Sequence, residues 1–142
     1  LINIKYMSSL IAVLVAAAAN FIIGFMFHGP LFGKLWMRLA NIVPTGNEKF
    51  SQMIPQMVKN FLMNVVASYG LAVFINVIAG FSNDFGNPFI GMKVAFVVWL
   101  GFIVTSSSMD VIWMGKSKKL WLFEIVTSLV SFLAMGAILA VW

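Results

Sequence analysis

The sequence predicts an all-α integral membrane bundle of four transmembrane helices, with a short amphipathic interfacial helix in the first connection. Three observations predict it. Hydrophobic residues make up 62% of the 142-residue chain and charged residues only 9%, against about 25% charged in an ordinary soluble domain. Too little polar surface remains to cover a water-soluble globule. The few charges are spaced so that four long stretches are nearly free of them, each close to the roughly 20 apolar residues that cross about 30 Å of hydrocarbon. Barrel-type alternation of polar and apolar residues is absent, which leaves helices to satisfy the backbone in lipid.

The first span is expected over residues 7–27, because no residue between Lys5 and Lys34 other than His28 can carry a full charge near neutral pH. This run is longer than the apolar region of a signal peptide, so an uncleaved span is expected. The second span is expected over 61–79, inside the charge-free window between Lys59 and Asp84. The third covers 90–113, with Lys93 near one end and Asp110 near the other. The fourth covers 120–142, with Glu124 one turn in. Together they form a single transmembrane domain, 1–142.

The connections carry their own signals. Residues 28–60 hold Gly29-Pro30, Pro44, Gly46 and Pro55, all helix interrupters. Within that stretch Leu31, Phe32, Leu35, Trp36 and Leu39 share one helical face, and Lys34 and Arg38 lie on another. Such a segment is predicted to lie in the interface, its rings in the acyl boundary and its cations among headgroups. Asn83-Asp84, Gly86-Asn87 and Pro88 are turn chemistry between the second and third spans. A tight hairpin around residues 115–119 joins the last two.

Cations set the expected orientation. The first and third connections hold Lys34, Arg38, Lys49, Lys59, Lys116, Lys118 and Lys119, and the other side holds only Lys5 and Lys93. The positive-inside bias places loops 28–60 and 114–119 in the cytoplasm and both termini outside, in a cell membrane. Trp36, Trp113, Trp121 and Trp142 fall where aromatic belts belong. The net charge of +5 points to loops at an anionic membrane surface rather than to nucleic acid. Headgroup contacts are expected at Lys34, Arg38, Lys116, Lys118 and Lys119.

Two blocks are similar to a known family. Phe27-His28-Gly29-Pro30-Leu31-Phe32-Gly33-Lys34-Leu35-Trp36-Met37 resembles the end of the first helix in the DUF1761 family. Trp99-Leu100-Gly101-Phe102, Trp113-Met114-Gly115-Lys116, Lys119-Leu120-Trp121-Leu122 and the stretch from Met135 to Trp142 resemble its C-terminal half. One departure is visible, since the family usually has Trp-Tyr and a Ser before the proline where this chain has Phe27-His28-Gly29. The resemblance implies a small four-helix protein of a bacterial inner membrane. It implies no activity and no catalytic residues.

Polar residues inside the spans are the chemistry available, and ionisable ones are functional candidates. His28, Asp110 and Glu124 lie near the basic loops, both carboxyls roughly 7–9 Å inside the loop lysines at 1.5 Å rise per residue. Asn64 joins them from the second helix. If these four face inward, they form a polar site for an ion or solute, or a relay. Alternatively Asp110 and Glu124 pair with Lys116, Lys118 or Lys119 and anchor the hairpin. Secondary polar faces carry Asn20, Ser68, Thr105, Thr127, Ser128 and Ser131, residue types that also pack membrane helices together. With no cysteine, no elbow motif and no His or carboxylate pair at ligand spacing, no catalytic group, metal site or cofactor is expected. The expected role is a non-enzymatic module that binds or passes a small solute or ion. A homo-oligomer, with a dimer favoured, is expected, or a subunit of a membrane complex. The alternative is a structural subunit or a scaffold on anionic lipid.

Overall fold

A computed structural model describes residues 10–142, and the expected start of the first span at Met7 and the cation Lys5 lie outside them. The described chain is helical and contains four helices long and apolar enough to cross a membrane: Leu10–Leu31, Phe50–Ser82, Pro88–Trp113 and Lys118–Val141. In order they comprise α1 (Leu10–Met26) with a π-helical turn at Phe27–Leu31, then the short α2 (Gly33–Leu39). Helix α3 is Phe50–Ser82, and the third span is α4 (Pro88–Val98), a π-helical stretch (Trp99–Val104) and α5 (Thr105–Trp113). Helix α6, Lys118–Val141, completes the bundle.

The first span therefore runs past Phe27. Pro30 has no N–H to give an α-helical ladder, and the wider π turn carries the chain through that gap. The turn brings the next helix so close that a Cβ on Gly33 would stand 2.9 Å from the His28 carbonyl oxygen. A short helix forms in the first connection as α2, and its apolar residues serve two sides. Trp36 packs edge-on against the His28 ring at 5.1 Å, whereas Leu35 and Leu39 face a groove against α6.

Helix α3 departs most from expectation. It starts at Phe50 rather than near Phe61 and takes Pro55 inside its second turn. There the proline, sixth in the helix, removes the bond that an N–H at this position would give to the Ser51 carbonyl. The start is held by the Gln52 side chain, which accepts from the Lys49 N–H at 3.4 Å. The Glu48 carboxylate before it accepts from the Thr45 amide at 2.6 Å, the Thr45 hydroxyl at 2.8 Å and the Gly46 amide at 3.0 Å. The Thr45 hydrogen bonds hold this carboxyl below its ordinary range. At 33 residues α3 is about 50 Å long, well beyond the hydrocarbon thickness.

The turns follow the sequence signals. Asn83 closes α3 in the left-handed region at φ 50°. Asn87 caps α4, its carbonyl oxygen accepting from the Phe89 N–H at 3.0 Å, with Pro88 opening the helix. Gly91 sits inside α4 where it crosses α6 closely. A Cβ on Gly91 would overlap the Gly136 carbonyl oxygen and come within 2.6 Å of the Ala140 Cβ. Only paired glycines let these backbones approach so closely.

The main hydrophobic cluster lies toward one end, while Ile125 and Thr127 are buried nearer the other. Ala12, Val13 and Ala16 of α1 meet Leu71, Ala72 and Ile75 of α3, Val94 and Ala95 of α4, and Met135 and Leu139 of α6. These positions lie in the half of the bundle away from the basic connections. Toward the basic end the packing loosens, and between residues 18 and 67 Gly33 alone is buried. The bundle is closed at one end and open at the other.

Candidate functional site

Where the helices part at the basic end, a cleft of about 410 Å³ lies between α1, α3 and α6. The first span lines it with Asn20 and Gly24 of α1 and His28 of the π-helical turn, spaced four residues apart. Helix α3 brings Met53, Met57, Asn60 and Asn64, and α6 brings Glu124, Thr127, Ser128 and Ser131. Trp36 of α2 forms part of the wall. Nearly every polar side chain here sits within a helix long enough to cross a bilayer, where unpaired polar groups are expensive.

The polar groups are held by specific bonds. Asn20 Nδ2 donates to Asn64 Oδ1 at 3.2 Å, tying α1 to α3, and Phe21 and Phe61 meet edge-on beside it at 6.0 Å. His28 Nδ1 lies 2.8 Å from the Gly24 carbonyl oxygen. A carbonyl only accepts, so Nδ1 carries the proton and a neutral ring keeps Nε2 as an acceptor. The ring is further fixed edge-on against Trp36 and, at 5.5 Å, against Phe123. Thr127 donates to the Phe123 carbonyl at 2.9 Å. Ser128 accepts from the Trp99 ring N–H at 2.9 Å and donates to the Ile125 carbonyl at 2.9 Å.

Lys116 ties the cleft-lining Glu124 to the α5–α6 hairpin. Its ammonium reaches Glu124 Oε2 at 2.5 Å and Asp110 Oδ2 at 3.6 Å, and its amide donates to the Asp110 carbonyl at 3.1 Å. Gly115, at φ 68°, turns the chain so that all three contacts are made at once. The hydrogen bond to Glu124 raises the Lys116 ammonium above the ordinary lysine range, against the opposing effect of its partial burial.

The four residues expected to converge do not all do so. His28, Asn64 and Glu124 line the cleft, and Asp110 lies outside it with its side chain half exposed on Lys116. Of the secondary polar residues, Asn20, Thr127, Ser128 and Ser131 line the cleft. Ser68 lies deeper, fully buried, its hydroxyl donating to the Met135 sulfur at 3.2 Å. Thr105 is elsewhere: its hydroxyl donates to the Gly101 carbonyl of its own helix at 2.6 Å. Lys34, Arg38, Lys118 and Lys119 are exposed. Among the described residues no three His, Asp or Glu side chains gather closely enough to hold a metal ion.

Sequence reasoning missed Met53, Met57 and Trp36 as cleft residues, whereas the pairing of Asp110 and Glu124 with Lys116 is the alternative it had offered. A signal for the first two existed. Met53, Met57, Asn60 and Asn64 recur at i, i+4, i+7 and i+11, one face of a helix. Treating Pro55 as an interrupter hid that face. No curated protein and no solved structure matches this chain. The family model described as "Protein of unknown function (DUF1761)" matches residues 11–140, nearly the whole length. With four apolar helices in that order, this is a membrane protein of the DUF1761 family.

Proposed function

We propose that this chain is a non-enzymatic membrane module that binds a small polar solute or cation in the cleft between α1, α3 and α6, entered from the cytoplasm. The observation that carries the reading is the one-ended cleft itself. Polar groups from three helices line it, and buried Ser68, Leu71 and Met135 fill the bundle beyond it. A single chain so filled suits binding better than passage. Asn20 Oδ1 and the second Glu124 oxygen are acceptors not used in the bonds described, and His28 Nε2 is also unused. The guest that suits them carries N–H or O–H donors, as a small amine does.

Thermal unfolding of the purified full chain in mild detergent, against a panel of small amines, amides and alkali cations, tests the reading. A bound guest at one hundred times its Kd adds about 2.7 kcal/mol. The rise in Tm is expected in the wild type and not in Asn64→Leu. A panel that leaves the wild type unmoved overturns it.

Orientation belongs to the same proposal. A cysteine at Ser117 is expected to resist an impermeant thiol reagent in intact cells, and one at Asn83 to label. The reverse pattern would put the cleft mouth outside.

The basic loops are proposed to meet anionic headgroups, and the working unit to be a homodimer. Exposed Gly101, Thr105 and Ser106 on the third span are the candidate contact, since polar side chains facing lipid gain from a protein neighbour. A second reading, a structural subunit of a membrane complex, is favoured by the pairing of both Asp110 and Glu124 with Lys116, which anchors the hairpin.

A further inference from the structure

A second opening lies on a different flank of α6. It is a groove of about 320 Å³ between α2 and α6, walled by Phe27, Leu35 and Leu39 on one side and Phe123 and Val126 on the other, with Lys119 at its rim. We propose that this groove is a specific site for one anionic phospholipid, with an acyl chain between the two helices and the phosphate on Lys119. The proposal deepens the headgroup contact suggested above and rests on it. It adds a defined place, a stoichiometry and a lipid class.

The arrangement of residues argues for a lipid. Lys119 and Val126 are seven residues apart on one face of α6, so the groove runs about 10 Å inward from the cation. A headgroup at Lys119 therefore leads its acyl chain straight into an apolar slot. Charge complementarity selects the class. Lys119 is the charged side chain that lines the groove, and no carboxylate lines it, so its rim is cationic. The nearest acid in sequence, Glu124, is turned to Lys116 and lines the other cleft. Helix α6 also begins here, and the Ser117 side chain makes no capping bond to its first amides, so their positive end adds to Lys119.

The groove is also not closed by the chain itself. Leu35 and Val126 are 41% and 46% exposed. An acyl chain has the shape and polarity to cover them at this depth, and a zwitterionic headgroup, whose own ammonium offsets its phosphate, gains less from Lys119. About fivefold preference per engaged cation is expected at low salt.

Native mass spectrometry of the full chain in mild detergent, titrated with equal phosphatidylglycerol and phosphatidylcholine, tests this. One phosphatidylglycerol per chain is expected to survive in preference to phosphatidylcholine. Lys119→Gln should reduce that adduct about fivefold, and Lys118→Gln, one residue away, should change it little. Val126→Trp and Leu39→Trp fill the groove from opposite walls without altering charge, and both should remove the adduct. Val97→Trp, a lipid-facing control at a 66% exposed position on α4, should retain it, and unchanged helical circular dichroism identifies variants that fold. If phosphatidylglycerol is preferred but Val126→Trp and Leu39→Trp keep it, headgroup attraction stands and the groove site falls. If no preference exists, both fall. A lipid-free dimer that either tryptophan disrupts would assign the groove to a second copy and overturn the lipid.

Discussion

Replacing Gly136 by Leu is expected to destabilise the bundle by more than about 3 kcal/mol, at the upper end of overpacking effects. A Cβ there would overlap the Gly91 carbonyl oxygen and stand 2.7 Å from the Ala95 Cβ. Backbone cannot rotate away as a flexible side chain can, so α4 and α6 must separate. Ala95, Met135 and Leu139 would then lose contacts in the packed half of the molecule. Gly91→Leu should cost a similar amount for the reciprocal reason, and the double variant less than the sum, because the first separation relieves the second clash. Gly24→Leu is the control, since nothing lies within 4 Å of a Cβ at that glycine. Unfolding in mixed micelles of dodecyl maltoside and sodium dodecyl sulfate measures these differences. Equal midpoints for Gly136→Leu and Gly24→Leu would mean that the two helices are not packed through glycine.

Lys116→Gln is expected to cost about 2 kcal/mol, between the values for exposed and fully buried ion pairs. The side chain is about one-quarter exposed and serves two carboxylates from different helices. Its loss leaves Glu124 in the cleft without a cation and frees the α5–α6 hairpin. Glu124→Gln should cost less, about 1 kcal/mol, because a neutral amide still accepts from the ammonium. The pH dependence has a defined sign. The folded Lys116 holds its proton more tightly than a free lysine. Its contribution is therefore complete below the ordinary lysine pKa of about 10.4 and is lost as pH rises through the higher folded value. The gap between wild type and Lys116→Gln should stay constant from pH 7 to 9 and close above that range. A gap no larger than that of Lys118→Gln, at an exposed lysine, would remove Lys116 from the role given to it.

Much of the candidate site was visible as residue spacing. Asn20, Gly24 and His28 recur every fourth residue, and Thr127, Ser128 and Ser131 extend one face from Glu124. These are properties of single helices, and the cleft uses them as they stand. Asp110 stands apart from the cleft, taking with Glu124 the pairing to Lys116 that the sequence offered as an alternative. Its depth along the third span is right for the cleft, but depth does not determine which way a helix is turned. The π-helical stretch at Trp99–Val104 alters the rotation of everything after it, and Asp110 comes out on Lys116 instead.

The number of spans, the gathering of seven cations toward one end of the helices and the small-residue faces were determined by the sequence alone. Each depends on sums over one local stretch, because lipid penalises a charge or an unpaired backbone group wherever it occurs. Tertiary structure decided where α3 begins, which polar faces share a cleft, and that Lys116 takes both carboxylates. It also decided that Gly91 meets Gly136. Those outcomes depend on how helices rotate and separate when they pack. Close backbone contact at one end holds the bundle shut, and without it at the other the same helices diverge around their polar residues.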